Sequence, residues 1–364
     1  MADKIKSVFG AYSEKLQVVV DKSKEKFAPT WFGKYFDWGV TTIGLTYQTA
    51  VGRSRIEAAA SVVDRESGAP LRSRAELEKY SGEVPAIKQL FKMKESDYRN
   101  YLTIQNMANV SDAMKQKQIL DLMWGDVKKA GEAPLKRIDM MVLQALSTGK
   151  VTINATTNPD GVVYDDIDLL MPAANKLTVT EKWSIVASSK PITDIKLAVK
   201  AAKQRGIVFE KMLMTFDGWW KFQASAEVTA QLAGYFRMGD NQKRVGTLDE
   251  VNQMLLANKF PYIELVNESI GIEKSGVITA VDPWNSTSVT FVPSGKLGII
   301  HNAYAIEQLK PVQQVQYATN NHVLISKWSQ NNPWAEFTGC ELNAFPGLET
   351  IDSIFIMDIE TKTA

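Results

Sequence analysis

The chain has almost no cysteine or histidine. A single cysteine, Cys340, in 364 residues rules out an intrachain disulfide framework and suits a reducing compartment. With only two histidines, His301 and His322, any imidazole-based general base or metal site would have to use one of them. Neither sits in a spacing such as H-E-x-x-H, and each reads as a polar residue at a strand or loop edge. Charge of one sign is missing too. A formal net charge of +1 sets up no global positive field for nucleic acid and does little to keep copies of the chain apart. No run approaches the roughly 18–20 apolar residues of a membrane-spanning helix. The N-terminus mixes Lys, Asp, Ser and Gln in place of an apolar secretory segment. These absences lead to the expectation of a protein made and used inside a cell, with no membrane partner.

Catalytic motifs are missing as well. Ser147-Thr148-Gly149-Lys150 and Ser294-Gly295-Lys296 each echo part of a phosphate loop, but neither is complete, and both read as turns. There is no G-x-S-x-G nucleophile elbow. Cys340 lies in the alternating stretch Phe337–Leu342, where it reads as a small packed residue; a Cys–His dyad with His301 or His322 is the sharper alternative. Asp165, Asp166 and Asp168 lack the spacing of a calcium loop and read as a solvated acidic loop. No catalytic, cofactor-binding or metal-ligating residue is assigned, and no cofactor is expected.

What the chain does have is a stretch with little core of its own. From Thr41 to Met93 it is studded with charges of both signs and short of long apolar runs. Connections in compact domains have a median of about 4–6 residues, so a stretch this long is disordered, functional, or ordered by something outside its own subunit. It opens on an alternation of Ile43, Leu45 and Tyr47, turns at Glu66–Pro70, and returns past a short helix expected over Arg72–Tyr80. Two limbs with a turn at the tip predict a two-stranded ribbon, which is marginal alone in water. Balanced charge favours contact between like subunits; a disordered linker is the other reading.

On either side lie helix patterns. Asp3–Phe27 carries Ile5, Phe9, Tyr12, Leu16, Val19 and Val20 on one stripe and lysines elsewhere, so it predicts an amphipathic helix docked on protein. Trp31–Trp38 then packs five aromatics into eight residues, an anchor for the arm, with base stacking on nucleic acid as the alternative. From Ser96 the pattern is helical to Ala130, about 50 Å if unbroken, and then resumes beyond interruptions at Gly131 and Pro134 until Gly149 closes it. A coiled coil fits less well because the spacing drifts from a heptad.

Beyond Gly149 the texture is α+β. A hairpin is expected over Val151–Val163, helices over Ile192–Arg205 and Trp219–Ala233, and a capping box at Thr247 and Glu250. Strands are expected at Met212–Phe216, Tyr262–Val266, Val277–Val281 and Val289–Val292. A last strand pair, Ala335–Phe345 with Ser353–Ile359, completes the order. Helices and strands are too segregated for a doubly wound fold.

This order, arm, extended loop, spine helix, then α+β material, resembles the major capsid proteins of tailed double-stranded DNA phages, with the Hong Kong 97 phage capsid fold. The likeness is nearest to the phage lambda capsid protein E family. It is carried by Asp97-Tyr98-Arg99 with Ile104-Gln105-Asn106-Met107, by Met214–Trp219, by Phe291-Val292-Pro293 and by Asn332–Phe337. The resemblance implies an N-arm at 1–40, an extended loop at 41–93, and a spine helix with peripheral domain at 94–191. It further implies an axial domain at 192–323 and C-terminal peripheral strands at 324–364. It implies self-assembly as pentamers and hexamers into an icosahedral shell around the double-stranded genome, touched non-specifically, in a virion assembled in the host cytoplasm. Portal, scaffold and decoration proteins are its further partners. An encapsulin-like shell around protein cargo is the alternative.

Overall fold

The computed structural model describes residues 16–21, 27–51, 78–105, 112–237 and 243–363. The remainder of the expected Asp3–Phe27 helix, the loop tip at 52–77 and the expected continuous spine at 106–111 lie outside the described residues.

In chain order, a short helix, Leu16–Asp21, precedes β1 (Phe36–Trp38), β2 (Thr46–Val51), β3 (Glu78–Glu83) and β4 (Ala86–Lys94). Helix Glu95–Gln105 and the spine helix Asp112–Thr148 follow. Then come β5 (Lys150–Ile153), β6 (Tyr164–Asp168), β7 (Lys176–Val179), helix Pro191–Gln204 and β8 (Lys211–Met214). Helices Phe216–Ala224, Ala226–Tyr235 and Leu248–Ala257 lead to β9 (Tyr262–Leu265), β10 (Ile270–Lys274), β11 (Val277–Val281) and β12 (Ser288–Val292). Last are β13 (Gly298–Ala303), helix Ile306–Leu309, β14 (Gln316–Asn320), β15 (Val323–Gln330), β16 (Ala335–Gly347) and β17 (Phe355–Lys362).

The strands form two principal sheets, each with its own body. One runs β1-β13-β16-β15-β14, with β4 also paired to β16, and the spine helix packs across it. The other runs β7-β17-β12-β8-β9, and helices of residues 191–257 fill a second core with it around Trp183, Phe222, Phe291 and Met357. Three two-stranded ribbons, β2-β3, β5-β6 and β10-β11, complete the set. The architecture is mixed α and β.

Several expectations need correction. The spine helix is not interrupted at Gly131 and Pro134; both lie inside it. A Cβ at Gly131 would come within 2.6 Å of the Phe27 ring, so the glycine makes room for the arm and does not end the helix. Gly149 does close the spine, at φ 73° in the left-handed region. The helix expected over Trp219–Ala233 is two helices, broken at Ser225, whose hydroxyl donates to Ser189 O at 3.1 Å. The hairpin after the spine pairs β5 with β6, so Asp165, Asp166 and Asp168 are strand residues and not a loop. Glu78–Tyr80, the end of the expected short helix, belongs to strand β3. The last two strands do not pair: β16 lies in the first sheet and β17 in the second. Within the charged 41–93 stretch, β4 is a full member of the first sheet, in register from Ala86↔Asn343 to Lys94↔Ala335.

Candidate assembly surfaces

The arm is held down by the spine. Trp31, Phe32, Tyr35 and Phe36 are buried, each contributing roughly 1.5–3 kcal/mol of apolar burial. Their backbone is caught by carboxylates on the spine helix: Ala28 N donates to Glu132 Oε1 at 2.9 Å, and Phe32 N to Asp139 Oδ1 at 2.7 Å. Those two acceptors stand seven residues apart, close to two helical turns, so they lie on one face. Burial raises the Asp139 carboxyl to about 6, against the Phe32 and Trp31 amides that favour its charged form. On the other flank Lys296 Nζ donates to Gly33 O at 2.6 Å and pairs with Asp37 at 3.0 Å, and β1 adds in parallel to β13. Tyr35 also reaches the second body: Lys211 Nζ lies 4.9 Å from its ring and 2.9 Å from Glu264 on β9.

The extended loop is rooted in the same sheet. Strands β2 and β3 pair antiparallel from Thr46↔Glu83 to Val51↔Glu78, the ribbon that the two limbs predict. Tyr47 stacks with both His301 (4.8 Å) and its cross-strand neighbour Phe345 (5.2 Å), and the Thr49 hydroxyl lies 2.6 Å from His301 Nε2. Of the alternation that opens the loop, Tyr47 is buried, whereas Ile43 and Leu45 are exposed and precede the strand.

The sheet face opposite the spine is open. Leu90, Gly339, Ser326 and Tyr317 form one cross-strand row; Lys92, Phe337 and Trp328 form the next. The first row and Trp328 line a groove of about 580 Å³ rimmed by Val312, Val315 and the Lys88–Glu341 ion pair. Leu90 is 54% exposed there and Val312 57%. A second apolar surface is the end of the β10-β11 ribbon, where Val277 is 66% and Ile278 70% exposed. On the helical side of the second body Phe216 stacks on Trp220 at 5.9 Å, both exposed. Exposed apolar groups gathered this way mark contact surfaces.

Residues considered for chemistry are otherwise occupied. His301 stacks on Tyr47, and the His322 ring lies tilted against Trp38 at 4.3 Å with Thr41 Oγ1 3.3 Å from its Nδ1; burial lowers both imidazoles. Cys340 is buried, its Sγ donates to Gln89 O at 3.7 Å, and burial pushes the thiol up to about 12, far from a reactive thiolate. Asp166 accepts from the Thr152 hydroxyl at 2.7 Å, and Asp168 lies 3.9 Å from Lys150. Among the described residues no group of three or more His, Cys, Asp or Glu converges as a metal site, and no helix is long and apolar enough to cross a membrane.

Residues 28–359 match the model of the family described as phage major capsid protein E. The chain belongs to that family. No curated protein sequence matches it. Among solved structures, a protein assigned as a prophage capsid protein from Escherichia coli CFT073 shares 15% identity over 92% of this chain and 94% of that one, with a TM-score of 0.56. A phage-related protein from Bordetella bronchiseptica RB50 shares 10% over 96% and 98%, with a TM-score of 0.48. The mature capsid protein of bacteriophage PhiM1 shares 11% over 91% and 87%, at 0.46.

Membership makes this a shell-forming capsid protein of the virion, in a structural family and not an enzymatic one, and does not favour the encapsulin-like alternative. The short motifs that carried the resemblance also meet in space. Lys94 N donates to Asp97 Oδ2 at 3.0 Å where β4 passes into helix Glu95–Gln105, and the Tyr98 ring lies 4.7 Å from that of Trp334. In the second body Thr215 caps helix Phe216–Ala224 by accepting from Gly218 N at 3.3 Å, while Phe291 and Val292 lie in β12 at the centre of the sheet. Sequence reasoning missed the arm-catching carboxylates Glu132 and Asp139, whose partners are backbone amides about 100 positions away.

Proposed function

We propose that the chain assembles as pentamers and hexamers into an icosahedral shell around the double-stranded DNA of a tailed phage, in the host cytoplasm. In this reading the axial domain is the second body, from β7 to β12 and closed by β17, and not the expected 192–323, because β13 and β14 pair in the first sheet while β7 and β17 pair in the second. The six-stranded sheet with the spine helix is the peripheral domain. One observation carries the reading: the arm and the extended loop are both rooted in the buried face of one sheet, by Trp31–Phe36 and by Tyr47. A subunit whose arm and loop are rooted this firmly can lend area to its neighbours without loosening its own sheet. Repeated heterologous contacts of modest strength then close into rings and a shell. Balanced charge lets the shell lie beside its own copies and beside phosphates, with DNA touched non-specifically through lysines. Portal, scaffold and decoration proteins would use the remaining apolar surfaces.

Electron microscopy of the expressed protein tests this directly: closed shells support it, and a stable monomer or dimer under all conditions refutes it. Deleting Arg53–Glu76, which spares β2 and β3, is expected to leave capsomers but abolish closed shells. Normal shells from that variant would refute the role given to the loop.

A further inference from the structure

Among the described residues the first sheet ends at β14, Gln316–Asn320, which pairs there with β15 alone. Edge strands in native proteins are protected by lysine, proline, a bulge or a cover, because their free amides and carbonyls accept another strand. This edge reads Gln-Tyr-Ala-Thr-Asn, with no charge and no proline, and its register with β15 runs without a bulge. It has a cover. Helix Leu16–Asp21 lies against it with Leu16 and Val20 buried, and the Gln17 carboxamide takes the place of a strand. Thr319 N donates to Gln17 Oε1 at 2.7 Å, and Gln17 Nε2 donates to Thr319 O at 3.1 Å. One primary amide thus supplies the acceptor and the donor that a neighbouring residue would supply in a ladder.

We propose that Gln17 and its helix are a displaceable cover over β14, and that the uncovered edge takes the β14 edge of a second copy. The geometry names the register. Thr319 points its amide and carbonyl outward, so by the two-residue period Tyr317 does the same. A two-fold axis through Ala318 would set Thr319 of each copy opposite Tyr317 of the other, each pair exchanging both N–H···O bonds. Short side chains at Ala318 and Thr319 leave such an approach open. The contact is self-complementary and needs no other partner, and it stands independently of the shell reading, because it concerns dissociated subunits. While the cover is closed, subunits are kept from this unproductive pairing.

The test compares full-length Gln17→Ala, Thr319→Pro and the double variant as dissociated subunits. Amide exchange at Thr319 is expected to quicken about tenfold in Gln17→Ala at low concentration, the loss of one hydrogen bond to a covered amide. Sedimentation at higher concentration is expected to show a dimer in Gln17→Ala that is absent from the wild type. Proline is tolerated where an edge N–H faces outward, so Gln17→Ala/Thr319→Pro is expected to fold and to lose that dimer. Thr319→Pro alone reports whether the substitution is tolerated, read from its thermal midpoint. Unchanged Thr319 exchange in Gln17→Ala overturns the cover. A dimer that survives in the double variant overturns the edge-to-edge contact.

Discussion

The two bodies treat buried polar groups in opposite ways. In the second body the polar interior is largely satisfied by near neighbours, with Arg244 Nε the buried atom there that has no hydrogen-bond partner among the described residues. Asp194 accepts from Thr180 N at 2.9 Å, the Thr180 hydroxyl at 2.8 Å and the Trp183 indole at 2.9 Å, while Glu227 takes the amides of Ile192 and Thr193 at a helix start. Its chain is nearly contiguous, with β17 the late addition. The first body is stitched from segments far apart in sequence, and it buries charge against that stitching. Arg137, Asp139, Lys327 and Glu336 all have their ionisation shifted by burial, and Glu336 Oε2 is buried with no hydrogen-bond partner. A body that is locally satisfied resists change as a unit. A body whose polar groups await an arm or a neighbour responds to what docks on it, and the arm and the loop are both rooted there.

The largest expected effect breaks the self-satisfied side. Asp194→Ala strands the Trp183 indole and the Thr180 amide in a fully packed place, and is expected to cost about 3 kcal/mol or more, read as a fall in the urea midpoint. The first body should answer differently. Lys327→Met alone leaves the buried Glu336 carboxyl facing no cation and is expected to cost about 3 kcal/mol, whereas Lys327→Met/Glu336→Gln should recover to within about 1 kcal/mol of the wild type. A double variant no better than the single one would erase the contrast. Burial lowers Lys327 to about 8 from 10.5, so the folded state holds that proton less tightly than the unfolded chain. The wild type is therefore expected to gain stability as pH rises from about 8 to 10.5, and the double variant to lose that slope.

Asp139 sharpens the comparison through pH. Its carboxyl rises from 3.8 to about 6 on folding, so the folded state binds the proton more tightly, and stability falls as pH rises through that window. Asp139→Asn keeps an oxygen for the Phe32 amide and carries no charge. Between pH 4 and 7 the wild type is expected to lose about 1–3 kcal/mol relative to the variant, the buried His301 and His322 contributing alike to both. An equal slope in both would place the titrating group elsewhere.

Much of the second body was legible in the sequence because its signals are local: the capping box at Thr247, Pro191 at a helix start, and a short apolar strand at Met212–Met214. In the first body the deciding contacts are distant. Gly131 reads as a helix break because Phe27, the ring that needs its space, is about 100 residues earlier. Strand β4 hides in the charged stretch because its residues alternate between exposed and half-buried, so no apolar run marks it. The partners of β16 and β17 depend on which sheet each strand enters, and alternation alone does not encode that choice. Among the assembly surfaces, loop length and the aromatic anchor were readable; the amide of Gln17 on a bare edge strand was not, since one glutamine in an amphipathic pattern has no signature.

The smallest effect tests whether the second body keeps its changes to itself. Thr247 caps helix Leu248–Ala257, accepting from Glu250 N at 3.4 Å, while Glu250 Oε2 accepts from Thr247 N at 3.0 Å. Arg244 pairs with the same Glu250, and this surroundings lowers its carboxyl, the Thr247 backbone bond first among the causes. Thr247→Ala is expected to cost about 1 kcal/mol in a thermal or urea melt. Its cap touches neither arm nor loop, so shells from the variant should close as the wild type does at a temperature well below the melt. If so small and local a loss prevented closure, the second body would be as coupled to assembly as the first, and the division between a satisfied body and a receptive one would fail.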